Sequence, residues 1–250
     1  MSVNRAAAVA RAGGETSVVL ATVPGTPGWP NEDFAAVVPG AAVLLDGATN
    51  FPRGRPTGCL HSVAWYARSL GAALLAGISA DPTIALADAL AAAIADVRDR
   101  HAGTCDLDHP ATPAATVTAV RAEPGGFSYL ALSDSSIAAE YADGRPPLVI
   151  SDTHQPARAT PAGAASAQTG TISLAGLRGL ALLSDGATRI TDRFGLLGWP
   201  DLLATIRERG PSALITEVRA AEAADADAAR WPRSKATDDA TIIWWPTAPA

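Results

Sequence analysis

Two long Ala- and Leu-rich stretches, residues 58–77 and 82–101, carry apolar residues at helical spacing and stand between runs that alternate at the strand period. That interruption narrows the fold most. A chain that closes a hairpin, makes two helices and then returns to strands is no helical bundle, and it lacks the strict strand–helix alternation of a parallel sheet. Ahead of the helices, SVVLAT at 17–22 reads as a strand, and FAAVV at 34–38 and AAVLLD at 41–46 read as a hairpin joined by Pro39-Gly40. Asp81 before Pro82 offers an N-cap for the second helix. Behind the helices, ATVTAVRA (115–122), FSYLALS (127–133) and SIAAEYA (136–142) form a meander separated by short Gly-containing and polar turns. The stretch 151–176, rich in Ala, Gly, Thr and Ser and without a clear period, reads as a long surface loop. LRGLALLSD (177–185) reads as a buried strand, helices follow at 199–208 and 211–224, and ATIIWW (240–245) closes the chain before Pro246. The order predicts an α+β fold of two antiparallel sheets flanked by helix pairs. No internal repeat or compositional break divides the chain, so a single domain over residues 1–250 is expected.

Composition excludes several partners. With 250 residues, 48% of them hydrophobic, there is material for one large core. The net charge is −6, and the Arg residues are scattered singly or as close pairs such as Arg53/Arg55 and Arg230/Arg233. A nucleic-acid partner needs clustered Lys and Arg to neutralise phosphates, so none is expected. The apolar windows 63–78 and 84–97 are broken by Arg68 or by Asp88 and Asp96, which argues against a membrane partner. The N-terminus has no apolar signal core, and Cys59 and Cys105 are too few for a disulfide framework. A reduced pair in a cytoplasmic protein is the reading that results.

Chemistry gathers where apolar strands end in acid: LLDGAT at 44–49, LLSDGAT at 182–188 and KATDDATII at 235–243. Glu32-Asp33 precedes a strand, and Asp134 lies between two. A carboxylate at a strand end is held with little remaining entropy cost. Several converging from distant segments repel one another unless a hard cation neutralises them, and an all-oxygen site suits Mg²⁺ or Mn²⁺. Gly after the Asp lets its carbonyl approach a metal unobstructed. Asp-Gly is also the commonest turn dipeptide, so each copy has a plain hairpin reading beside the ligand one.

The ordered set Asn31-Glu32-Asp33, LLDG, AATVTAV, LSDSS, LLSDGAT and DDATII resembles the 2C-type (PPM) metal-dependent protein phosphatases, over about residues 16–245. Bacterial members show N-[EQ]-D, V-x-D-G, G-T-T, G-D-S-R, L-x-S-D-G-L-T and D-N-x-T-V-V in the same order. The resemblance implies an α-β-β-α sandwich and two Mn²⁺ or Mg²⁺ ions. It implies that Asp46 bridges the ions, that the Gly47 carbonyl and Glu32 join one of them with Asp33 beside it, and that Asp185 and Asp238 bind the other. Asp33 and Asp239, the latter standing where the family usually has Asn, are counted with these residues in the expected metal set. It implies hydrolysis of a phosphoprotein or small phosphoester by a metal-activated water.

This sequence departs from the pattern at the phosphate clamp. The family's phosphate-binding Arg precedes the N-E-D segment, where this chain has Pro27-Gly28-Trp29-Pro30. The G-T-T counterpart is Ala114-Ala115-Thr116, and the Arg of G-D-S-R is Ser136. Arg53 is the first candidate to fill the role because its loop leaves the Asp46 strand, with Arg55 and Arg189 behind it. A regulatory pseudo-phosphatase and a small-molecule phosphatase in a biosynthetic pathway stay open beside the phosphoprotein reading.

His61, His101, His109 and His154 show no H-x-x-x-H or H-x-H spacing, so no zinc site is expected. Cys59 and His61, two apart on the expected helix, should point away from each other. His109, in a loop with Asp106 and Asp108, is a candidate outer ligand or general acid beside its reading as a solvated loop residue. Neither G-x-S-x-G nor a phosphate-loop motif is present.

Overall fold

A computed structural model describes residues 6–11, 17–48, 58–101, 103–107, 109–152 and 161–247. The elements run β1 (Ala6–Arg11), β2 (Ser17–Val23), β3 (Phe34–Val38), β4 (Ala41–Ala48), α1 (Val63–Ala80), α2 (Leu86–His101), β5 (Ala114–Glu123), β6 (Gly126–Leu132) and β7 (Ser136–Tyr141). They continue with β8 (Leu148–Ile150), α3 (Pro161–Ala165), β9 (Gln168–Ser173), β10 (Leu177–Leu183), α4 (Asp185–Asp192), α5 (Trp199–Arg209), α6 (Pro211–Ala224) and β11 (Ala240–Pro246). One sheet has the order β1-β2-β11-β10-β7-β8 and the other β3-β4-β5-β6-β9, antiparallel in every pairing.

Strand alternation builds the layers. In β4, Ala41, Val43 and Leu45 pack on α1 and α2, whereas Ala42 and Leu44 face the other sheet. In β11, Ile242 and Trp244 pack on α4, α5 and α6, whereas Ile243 and Trp245 fill the space between sheets. Three apolar cores result, helix on sheet, sheet on sheet and sheet on helix. That is the α-β-β-α sandwich expected from the resemblance. α1 is, among the described residues, the one helix long and apolar enough to cross a membrane by length and composition, and half of it is buried inside the protein.

Several boundaries differ from expectation for local reasons. The first helix starts at Val63 rather than at 58, because the Ser62 hydroxyl accepts from the Trp65 amide at 3.1 Å and caps it. Asp81 is the C-cap of α1, and its carboxylate accepts from the Thr83 amide at 2.9 Å instead of capping α2. The expected 151–176 loop contains β9, an edge strand paired to β6 whose side chains are mostly exposed and so show no apolar alternation. α3, α4, β1 and β8 are additions. α4 opens on Asp185-Gly186, a dipeptide that by itself signals a turn.

Candidate metal centre

Period 2 carries Asp46 to its place. Two residues beyond Leu44, it lies on the strand face that looks toward the other sheet, opposite Thr116 of β5. The Asp46 amide donates to the Thr116 hydroxyl at 3.2 Å, which shares a 2.5 Å hydrogen bond with Ser135. Asp185 opens α4 directly after β10. Its neighbour Ser184 accepts from the Thr241 amide at 2.9 Å, tying the start of α4 to β11. Asp33 leads into β3, and Asp238 leads into β11.

These four aspartates meet. Burial, then Asp33 and Asp185, push the Asp46 carboxyl well above its ordinary value, and Asp46 and Asp185 are close enough to share a proton. Burial and Asp238 raise Asp185, with Asp134 adding from the turn between β6 and β7. Burial pushes Asp33 up to about 7, with Asp239 and Asp185 adding and the nearby Thr241 and Ser184 hydroxyls only tempering the rise. Neither Asp33 carboxylate oxygen has a hydrogen bond of good geometry among the described residues, although the residue is 6% exposed. Buried like charges of this kind persist only with a proton or a cation among them.

Backbone contacts hold the cluster in register. Asp239, expected among the ligands, has its two oxygens taken by the amides of Gly25 at 2.7 Å and Glu32 at 2.8 Å. It fastens the 25–32 loop to the start of β11. The Gly47 amide donates to the Glu32 carbonyl at 3.2 Å, and a Cβ on Gly47 would stand 2.6 Å from that oxygen. A Cβ on Gly186 would stand 2.0 Å from the Asp239 carbonyl oxygen. Glycine after each Asp thus admits a crossing backbone, a reason additional to the one expected from ligand access.

The cations distribute differently from expectation. Arg189 is 8% exposed and donates to Asp238 at 2.7 Å and to Glu222 at 2.8 Å. Held in a buried ion network, it is not available as a phosphate clamp. Lys235, the sole lysine, donates to Asp238 at 2.8 Å from a side chain that is 43% exposed. Desolvation lowers its pKa, but Asp238, Asp46 and Glu32 together hold it above the ordinary value. Arg53, Arg55, Asp108 and His154 lie outside the described residues. His109 accepts from the Ala111 amide at 3.1 Å within its loop, and Asp106 donates its amide to the Gly58 carbonyl at 2.8 Å, tying that loop to the segment before α1.

A second cluster, Cys59, His61, His101 and Cys105, forms beside α1 and α2. Cys59 and His61 precede α1 rather than sitting on it, so the helical geometry that was to separate them does not apply. The absence of paired histidines hid a mixed spacing, C-x-H with H-x₃-C.

Two antiparallel sheets lie between helix layers, and aspartates from four chain segments meet at the strand ends. The family described as Protein phosphatase 2C matches residues 26–217, and the chain belongs to that family. Solved structures share the fold at low identity. Serine/threonine phosphatase Stp1 from Staphylococcus aureus is 12% identical at a TM-score of 0.64, covering 96% of this chain and 98% of that one. The PPM Ser-Thr phosphatase MsPP from Mycobacterium smegmatis, in complex with cacodylate, is 17% identical at 0.62, covering 93% and 98%. The catalytic domain of the serine threonine protein phosphatase PstP, in complex with two manganese ions, is 12% identical at 0.58, covering 92% and 96%. No curated protein sequence matches the chain.

Proposed function

We propose that the chain is a Mn²⁺- or Mg²⁺-dependent phosphoester hydrolase acting on phosphoserine or phosphothreonine proteins, built as one domain with its core at about residues 16–245. The observation that carries this is the meeting of Asp33, Asp46, Asp185 and Asp238, with neither Asp33 oxygen in a hydrogen bond of good geometry among the described residues. An all-oxygen donor set fits a hard divalent cation. Asp46, Asp185 and Asp238 are assigned as ligands, with Glu32, Asp33 and the Gly47 carbonyl completing the set. Asp239 acts by positioning Glu32 and the 25–32 loop. When bound, such ions supply a nucleophile at neutral pH and positive charge for the phosphoryl oxygens.

The chain's own groups then orient the ester. Lys235 is assigned as the cation that meets the phosphate, since its ammonium already lies at the rim of the cluster and leans on Asp238. Arg53, on the segment after β4, is the rival for that role. The Asp46→Asn variant, assayed on an aryl phosphate with Mn²⁺, is expected to lose activity, and equal activity in both proteins refutes the reading. Lys235→Met is expected to raise KM, by roughly 10-fold or more for a lost charged hydrogen bond. An effect seen with Arg53→Ala and not with Lys235→Met moves the clamp to Arg53.

The pairing of Asp238 with both Arg189 and Lys235 favours a second reading, a regulatory module that retains the fold without turnover. Calorimetry with Mn²⁺ separates the two: binding supports catalysis, and no binding supports the module.

A further inference from the structure

Cys59, His61, His101 and Cys105 offer four ligand atoms that all lie within 4.8 Å of one another. We propose that they form a second metal site, a closed Cys₂His₂ centre for Zn²⁺, chemically separate from the carboxylate centre. The Cys59 sulfur stands 3.8 Å from Nδ1 of His61 and 3.8 Å from Nδ1 of His101, and the Cys105 sulfur stands 3.5 Å from Nδ1 of His61. Around tetrahedral zinc, with Zn–S about 2.3 Å and Zn–N about 2.0–2.1 Å, sulfur and nitrogen ligands stand about 3.5 Å apart. These three sulfur–nitrogen separations are close to that spacing, and the remaining ones, none above 4.8 Å, need only a small contraction around an ion.

The fold brings the four together from two helix ends. The Cys59–His61 segment lies directly before Ser62, the N-cap of α1, and His101 is the last residue of α2. Antiparallel packing of the two helices puts those ends side by side. The His61 ring stacks on Trp65 at 4.0 Å and on His101 at 4.7 Å. The Thr104 amide and hydroxyl both donate to the His101 carbonyl, at 3.1 and 2.9 Å, and turn the chain so that Cys105 comes back.

Both sulfurs have a backbone donor. The Leu60 amide donates to the Cys105 sulfur at 3.3 Å, and the His61 amide donates to the Cys59 sulfur at 3.3 Å. Backbone donors of this kind stabilise an ionised sulfur and fix its direction. His101 is 0% exposed, and its Nδ1 faces the Cys59 sulfur. An imidazole so enclosed, with that nitrogen turned to a thiol, is placed as a ligand.

Softness decides the metal. Two thiolates and two imidazoles select Zn²⁺ over Mg²⁺ or Mn²⁺, so the two centres do not compete for one ion. Four protein ligands leave no open position, which makes the site structural. It fastens residues 58–62, the first described segment after β4, to the 103–112 loop that leads into β5. Those two strands pair at Asp46 and Thr116, so the zinc clips the chain on both sides of the strand ends that carry the carboxylate centre.

Purify the reduced full chain without added metal or a metal-binding tag, and measure zinc by mass spectrometry. About one Zn²⁺ per chain is expected, with both thiols unreactive until a chelator removes it. Reconstitution with Co²⁺ is expected to give strong tetrahedral visible bands and a thiolate-to-cobalt band in the near ultraviolet. A carboxylate site gives neither. Cys59→Ser and His101→Asn are each expected to lose these bands, whereas Asp46→Asn keeps them. Two freely reactive thiols with no thiolate–cobalt band in the wild-type chain overturn the proposal. A Cys59–Cys105 disulfide whose reduction restores no zinc or cobalt binding overturns it equally. The wild-type spectrum decides the matter even if a variant fails to fold.

Discussion

Replacing Asp33 by Asn should stabilise the metal-free protein while removing its response to Mn²⁺. The Asp33 carboxyl is 6% exposed, and burial pushes it from 3.8 to about 7. Because the folded value lies above the unfolded one, the native state holds the extra proton. Stability therefore falls as pH rises between those values, and above about 7 the full penalty is in force. A rise of that size corresponds to on the order of 4 kcal/mol. Asn has the shape of the protonated acid and never ionises, so the variant escapes the penalty. For a chain of this length, about 4 kcal/mol shifts the thermal midpoint by roughly 10 °C. Melting curves in EDTA should show the variant ahead by about that margin at pH 8 and level with wild type near pH 3.5, below the unfolded value of 3.8. Mn²⁺ at pH 8 should reverse the order, because only the wild-type carboxylate gains a cation. A variant less stable than wild type in EDTA at pH 8, or a margin independent of pH, refutes the account of a strained carboxylate cluster.

Arg189→Met leaves Glu222, whose side chain is 0% exposed, with Arg219 as its remaining ion-pair partner, and should cost about 3 kcal/mol in urea unfolding. An unchanged midpoint would show that the buried network contributes nothing. Leu44→Ala empties a fully buried site between the sheets and should cost about 2–5 kcal/mol without altering the metal stoichiometry. Gly47→Ala places a methyl 2.6 Å from the Glu32 carbonyl oxygen. Calorimetry should show weakened Mn²⁺ binding, with a stability loss of roughly 1–3 kcal/mol.

Residues whose direction follows from a regular period were legible in the sequence, and residues whose direction depends on tertiary packing were not. Asp46 follows Leu44 at the strand period, so once the hairpin was identified its face was determined. Asp239 illustrates the same rule in reverse. It is adjacent to Asp238 on an extended lead into β11, and its carboxylate turns to the amides of Gly25 and Glu32 while Asp238 meets Arg189 and Lys235. Alternation turns these two neighbours apart, and Asp239 is spent on fastening the 25–32 loop. Arg189 sits four residues after Asp185 on α4, so helix geometry returns it to the same side, where Glu222 and Asp238 capture it.

The Cys₂His₂ cluster obeys no single period. Its halves stand at the start of α1 and the end of α2, and only the packing of those helices sets the distance between them. A search for two ligands on one helix face could not find it, since no two of the four share a helix. The separation has a consequence for how the two centres respond to perturbation. Aspartates on or next to strand ends keep their positions while the sheet ladders of β4, β10 and β11 hold. Ligands at helix ends keep theirs only while the flanking loops are closed, which is the work a zinc ion with four protein ligands performs. Loss of zinc should therefore loosen residues 58–62 and 103–112 first, in hydrogen exchange, and reach Asp46 only through the β4–β5 pairing.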